Sequence, residues 1–162
     1  MPRSNPSSTV AISRHPIHAT LAPFPIVCFT LTLVVDIAYW QTSTLMWQHF
    51  AEWLLFAGLV VGALAALVGA IDFLVRREVR APGAAWPHAV GGIVVLVLAF
   101  VNSLVHARDG WTGVVPYGLI LSAVTVAVMM LSDWFGRAMV YRHGVGVSAS
   151  DSVSDYRRSE PT

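Results

Sequence analysis

The chain has 162 residues, 56% apolar and 12% charged, with a formal net charge of +1 and a mean hydropathy of +0.65. That length suits one domain, and the composition is too apolar and too charge-poor for an ordinary soluble one. Once the apolar runs are placed no basic surface remains, which excludes nucleic acid as a partner.

Residues 1–14 are rich in Ser, Pro and Arg, lack the apolar stretch of a secretory signal, and read as a disordered tail. His-Pro-Ile-His follows at 15–18; Pro16 biases His15 toward an extended backbone, so His15 and His18 sit on a stiff entry segment. Four apolar stretches then run over about 19–40, 49–75, 87–106 and 113–140. Each is long enough to cross a hydrocarbon core of roughly 30 Å, which needs about 20 residues at 1.5 Å rise. Pro23, Pro25 and Pro87 fall in first helical turns, where the missing N–H costs no bond, and Gly144 helps to end the last helix. Residues 148–162 read as a second disordered tail. The short connections predict an all-α, up-down four-helix membrane bundle over residues 15–147.

Tryptophan and arginine orient the bundle. Trp40, Trp47, Trp53 and Trp111 fall near one membrane face, Trp86 and Trp134 near the other, as headgroup-level belts do. Arg3, Arg14, Arg76, Arg77, Arg80, Arg137, Arg142, Arg157 and Arg158 lie on one side and only Arg108 on the other. The positive-inside rule then predicts a multi-pass inner-membrane protein with both termini cytoplasmic.

Small and polar residues mark the packed seams expected in lipid. Gly58, Gly62, Ala65, Gly69, Asp72 and Arg76 share one face of the second span; His88, Gly92, Val95, Ala99, Asn102 and His106 share one face of the third. The fourth carries Gly118, Ser122, Thr125, Met129, Ser132, Gly136, Met139 and His143 in the same rhythm. Ionisable groups sort into an arginine-side layer (His15, His18, Asp72, Arg76, His88, Asp133, Arg137, Arg142, His143) and an opposite layer (Asp36, His49, Glu52, His106, Arg108). Asp36 lies inside the first span, where an unpaired carboxylate is costly; either His106 or Asn102 satisfies it, or it is protonated. Cys28, the lone cysteine, reads as a packing residue.

Imidazoles at span ends have three readings: haem or metal ligands, proton-responsive groups, or interfacial anchors. His18, His88 and His143 are candidate ligands of a b-type haem, with Arg142 placed to neutralise a propionate. The metal alternative is a transition-metal ion held among His15, His18, Asp72, His88 and His143. His88 and His106 are 18 residues apart, about 27 Å along a helix, which places both rings near the headgroups and argues against two haems. There is no HExxH pair, GxSxG elbow or Walker A loop, so hydrolysis has little support and the chain reads as no enzyme on its own.

His15-Pro16-Ile17-His18 with Phe24-Pro25, then Gly69-Ala70-Ile71-Asp72, His88, and Tyr141-Arg142-His143-Gly144-Val145-Gly146-Val147 together resemble the bacterial membrane family called domain of unknown function 2231. The resemblance covers about residues 14–147 and places weight on His15, His18, Asp72, His88, Arg142 and His143. Some relatives are joined to Rieske-type iron–sulfur domains, which implies membrane redox chemistry; this chain carries no Cys-His cluster of that kind. The expectation is a membrane protein that binds haem or a transition metal, with a redox partner protein or a second copy of itself as partners besides the bilayer. A non-enzymatic scaffold or accessory subunit is the alternative, and a metal-ion or proton permease a weaker third.

Overall fold

The computed structural model describes residues 11–12, 15–75, 85–108 and 114–143, with side chains over 17–75, 85–108 and 114–137. A two-residue antiparallel pairing of Ala11–Ile12 with His15–Pro16 leads in, in keeping with the extended backbone that Pro16 imposes on His15. A short helix α1 (Ile17–Leu21) runs into α2 (Pro23–Thr42), followed by α3 (Leu45–Val75), α4 (Ala85–His106) and α5 (Leu119–His143). Pro23 and Pro25 occupy the first turn of α2, where they cost no intrahelical bond. The α2–α3 turn is tight: Ser43 adopts a left-handed conformation (φ 54°) and its N–H closes on the Tyr39 carbonyl at 2.7 Å. Before α5 the chain re-enters the bundle through a wide turn, Val114–Gly118, broken at Val115 (φ −110°, ψ 125°).

Ile17–Thr42, Leu45–Val75, Ala85–His106 and Val114–Arg137 are each long and apolar enough to cross a membrane. α2 packs on α3 and α5, and α4 packs on the same two, so the four form a closed up-down bundle with α2 diagonal to α4. The outer surface is what a lipid solvent requires. Trp53, Leu74 and Trp134 are each about 70% exposed, and Trp40 and Trp86 also face outward. The interior is narrow and built from the expected seams: Gly58, Gly62, Ala65 and Asp72 on α3, Val95, Ala99, Asn102 and His106 on α4, and Ser122, Thr125, Met129 and Ser132 on α5 are all buried. Phe29 and Leu55 join Val95, Ala99 and Met129 as the apolar heart. With lipid as apolar as leucine, such close approach through small residues supplies the association energy.

The two hairpins correspond to each other. Buried Phe29, Thr32 and Asp36 on α2 match buried Ala99, Asn102 and His106 on α4 at a constant offset of 70 (29 to 99, 32 to 102, 36 to 106). Buried Ala51, Leu55, Gly58, Gly62 and Ala65 match Gly118, Ser122, Thr125, Met129 and Ser132 at an offset of 67 (51 to 118, 65 to 132). The buried positions of one hairpin thus recur in the other, α2 corresponding to α4 and α3 to α5.

Candidate functional site

Polar side chains meet across the bundle axis at two levels, one near each end. At the first, His18 of α1 lies over Gly69 of α3, and His88 of α4 lies over Gly136 of α5. A Cβ at Gly69 would stand 3.0 Å from the His18 ring, and one at Gly136 would stand 2.9 Å from the His88 ring, so neither position tolerates a side chain without displacing an imidazole. Each ring is also fixed by a hydrogen bond. His18 Nδ1 is 2.9 Å from the Ala65 carbonyl and His88 Nδ1 is 2.9 Å from the Ser132 carbonyl, each four residues before the glycine beneath the ring. A carbonyl only accepts, so both Nδ1 atoms carry the proton, which leaves Nε2 of the neutral ring as the lone-pair nitrogen. Ser132 Oγ donates back to the His88 carbonyl at 3.1 Å. The two rings, one from each hairpin, face each other edge to face with centroids 6.0 Å apart and planes at 82°.

The second level lies 18 residues further along both α1–α2 and α4, about 27 Å away at the helical rise. Asp36 and His106 are fully buried there, with His106 Nε2 at 2.9 Å from Asp36 Oδ1. Ser122 Oγ donates to Asp36 Oδ2 at 2.5 Å, Asn102 Nδ2 donates to Ser122 Oγ at 2.8 Å, and His106 Nδ1 bonds the Asn102 carbonyl at 3.0 Å. Gln48 Nε2 reaches the His106 carbonyl at 3.3 Å and Glu52 Oε1 at 3.4 Å. A carboxylate in hydrocarbon is tolerated only with such partners, and His106 supplies the one that the sequence called for at Asp36. Ser122 and Gln48 complete the cluster without having been read as partners of Asp36, because neither carries charge.

The other candidate residues fall as follows. His15 is paired through its backbone with Ile12, and its side chain lies outside the described residues. The α5 backbone reaches Arg142 and His143, whose side chains also lie outside them, as do Arg76, Arg77, Arg80 and both predicted tails apart from the backbone of Ala11–Ile12. Asp72 is buried on α3, three residues beyond Gly69. Among the described residues no three His, Cys, Asp or Glu side chains come together as a metal site, so Asp72 does not complete a three-ligand set with His18 and His88. Asp133 and Arg137 form an exposed pair at 3.4 Å near the same end, and His49 and Arg108 are exposed at the other.

The signal that would have found both levels is a spacing. His18 precedes Asp36 by the same 18 residues that separate His88 from His106, and each pair belongs to a different hairpin. A family model described as a predicted membrane protein (DUF2231) matches residues 14–149. No curated protein and no solved structure matches the chain.

Proposed function

Given that the chain belongs to the DUF2231 family of predicted membrane proteins, we propose that it is a multi-pass protein of the bacterial inner membrane that holds haem iron or a transition-metal ion between His18 and His88. The observation that carries this reading is the pair itself: two imidazoles from different hairpins, each pinned through Nδ1 to a backbone carbonyl, meet at 6.0 Å with their coordinating nitrogens uncommitted to those bonds. Pinning Nδ1 is what orients a ligating histidine and raises the basicity of Nε2. A group held there would be bound by one imidazole from each hairpin. A haem iron needs only these two protein ligands because the porphyrin supplies the rest. A bare ion needs more, for which His15 and His143 are placed by sequence. Arg142 would balance a propionate or another anion, and Asp72 would orient a ligand. Either group would supply one-electron chemistry, with a membrane or soluble redox protein as partner.

The rival reading, a scaffold without cofactor, is favoured by the same Nδ1 bonds, which tie α1 to α3 and α4 to α5. A reduced-minus-oxidised absorption spectrum and a metal assay on one detergent-purified sample separate the two. A Soret and α-band, or stoichiometric metal, is the expected result, lost in His88→Ala and kept in His49→Ala. Absence of both signals in the unmodified protein would leave the scaffold.

Nine arginines on the side of the His18–His88 pair against Arg108 on the other support N-in and C-in topology. A reporter fused after Thr162 is expected to be cytoplasmic; periplasmic activity would invert the assignment and put the histidine pair outside.

A further inference from the structure

At the opposite level, the hydrogen-bond pattern around His106 counts protons. Its Nδ1 faces the Asn102 carbonyl, which can only accept, so Nδ1 carries a hydrogen. Its Nε2 faces Asp36 Oδ1 at 2.9 Å. If the carboxylate were ionised and the imidazole neutral, one of these two contacts would set acceptor against acceptor. The geometry requires one further proton between Oδ1 and Nε2, on either the acid or the ring. Ser122, which takes a hydrogen from Asn102 and gives its own to Asp36 Oδ2, fixes the second carboxyl oxygen as an acceptor. The pair is thus neutral overall, the only inexpensive state for two fully buried ionisable groups in hydrocarbon.

Two further atoms show that the cluster is not closed on itself. Gln48 Oε1 and Asn102 Oδ1 are buried acceptors with no donor, on side chains 5% and 0% exposed. Buried acceptors of this kind bind water when there is room for it. Gln48 bonds the backbone carbonyl of His106 and half-buried Glu52, so polar side chains continue beside the cluster toward that end of the bundle. The groups on every neighbouring element are few. α2 gives Asp36 and buried Tyr39; α3 gives Gln48, Glu52 and exposed His49; α4 gives Asn102, His106 and exposed Arg108; the Val114–Gly118 turn and α5 give exposed Tyr117 and the neutral Ser122 and Thr125. Among the described residues no basic side chain other than His106 touches Asp36, so nothing but that proton balances the carboxylate.

We propose that Asp36 and His106, steadied by Ser122 and Asn102, form an exchangeable proton-binding site inside the membrane. In the loaded state the proton lies between Asp36 and His106. Its release leaves a carboxylate and a neutral ring that can no longer satisfy both neighbours, so the ring must leave either Asp36 or the Asn102 carbonyl. The last turn of α4 then rearranges as the proton departs. This site stands apart from the cofactor reading, because a chain that binds neither metal nor haem would still titrate here.

The test is infrared difference spectroscopy of the full chain in phosphatidylcholine vesicles, stepped from mildly acidic to alkaline pH and back. The expected spectrum contains a reversible band from a carboxylic acid or from an imidazolium–carboxylate pair, and Asp36→Asn removes it. Asn is the suitable replacement because its amide can donate to Nε2 and accept from Ser122, which keeps the fold; circular dichroism checks this. Should Asp36→Asn not fold, Ser122→Ala takes its place and is expected to shift the band by removing one hydrogen bond from Oδ2. A wild-type spectrum identical to that of Asp36→Asn, or a band unmoved by Ser122→Ala, would overturn the site.

Discussion

Replacing His106 with Ala is expected to lower the stability of the bundle by about 3 kcal/mol, the low end of what breaking a buried ion pair costs. The reason lies in what remains. Asp36 keeps Ser122 on Oδ2 but loses its partner on Oδ1, and Asn102 loses a hydrogen from its carbonyl. Without the ring the fully buried carboxyl must stay protonated and under-bonded. That neutralisation is also what caps the loss, since a naked carboxylate would cost far more. The informative companion is the double variant Asp36→Leu/His106→Leu. Apolar residues of similar volume in place of a buried pair are often neutral in stability, and Ser122 can turn its hydroxyl to the carbonyl one turn back. Reversible unfolding in mixed detergent micelles, followed by circular dichroism, should show the double variant recovering most of what His106→Ala loses. Equal losses in both would mean that the ring contributes by packing and not by its bond to Asp36.

The second large effect is steric, and it separates two adjacent glycines. A Cβ at Gly91 would lie 2.7 Å from both Cβ and Oγ of Ser132 and 3.4 Å from its Cα, so a side chain there must push α4 from α5. Gly91→Val is expected to cost about 3 kcal/mol, the upper part of the range for overpacking. It should also break the bond from His88 to the Ser132 carbonyl and with it the orientation of the ring. At Gly92 a Cβ would meet nothing within 4 Å. Gly92→Ala is therefore expected to be neutral or stabilising by up to about 1 kcal/mol, the helix-propensity difference between the two residues. The same unfolding assay applied to both variants checks the contrast. A smaller loss at Gly91 than at Gly92 would mean that α4 is rotated by a residue from the position described.

Much of this fold is legible in the chain because lipid imposes strict demands on sequence. Long apolar runs fix the spans, and the three-and-four rhythm of small residues fixes which face of each helix turns inward. Val95, Ala99 and Asn102 on α4, and Ser122, Thr125 and Met129 on α5, are buried for that reason. That Asp36 needs a partner was legible, since an acid inside a span demands one, with His106, Asn102 or its own protonation as the alternatives. The remainder depends on which helices lie diagonally, and periodicity within one helix carries no such information. His18 and His88 read as two of several candidate ligands, and that these two meet is visible only once α1 and α4 face each other across the axis. Ser122 and Gln48 pass as ordinary seam or surface residues until Asp36 is found beside one and the last carbonyl of α4 beside the other. The correspondence between hairpins is equally hidden, because it lies in burial and spacing: Asp36 stands opposite His106, and Thr32 opposite Asn102.

That correspondence also gives the two polar levels their relation. The same pair of positions recurs near each end of the axis, and the chemistry differs with the residue type that fills it. Two histidines with their Nδ1 atoms tied to carbonyls keep Nε2 out of those bonds. An aspartate and a histidine hydrogen-bonded directly present a proton instead.

The central claim is that His18 and His88 form one centre, and cofactor content per chain in the two single variants tests it most directly. The unmodified protein is predicted to carry about one equivalent of haem or metal, and His18→Ala and His88→Ala to carry none each, because either removal opens a coordination set that both rings complete. No bound group in the unmodified protein, or full retention in either variant, would contradict a shared centre and leave two separate clamps between helices.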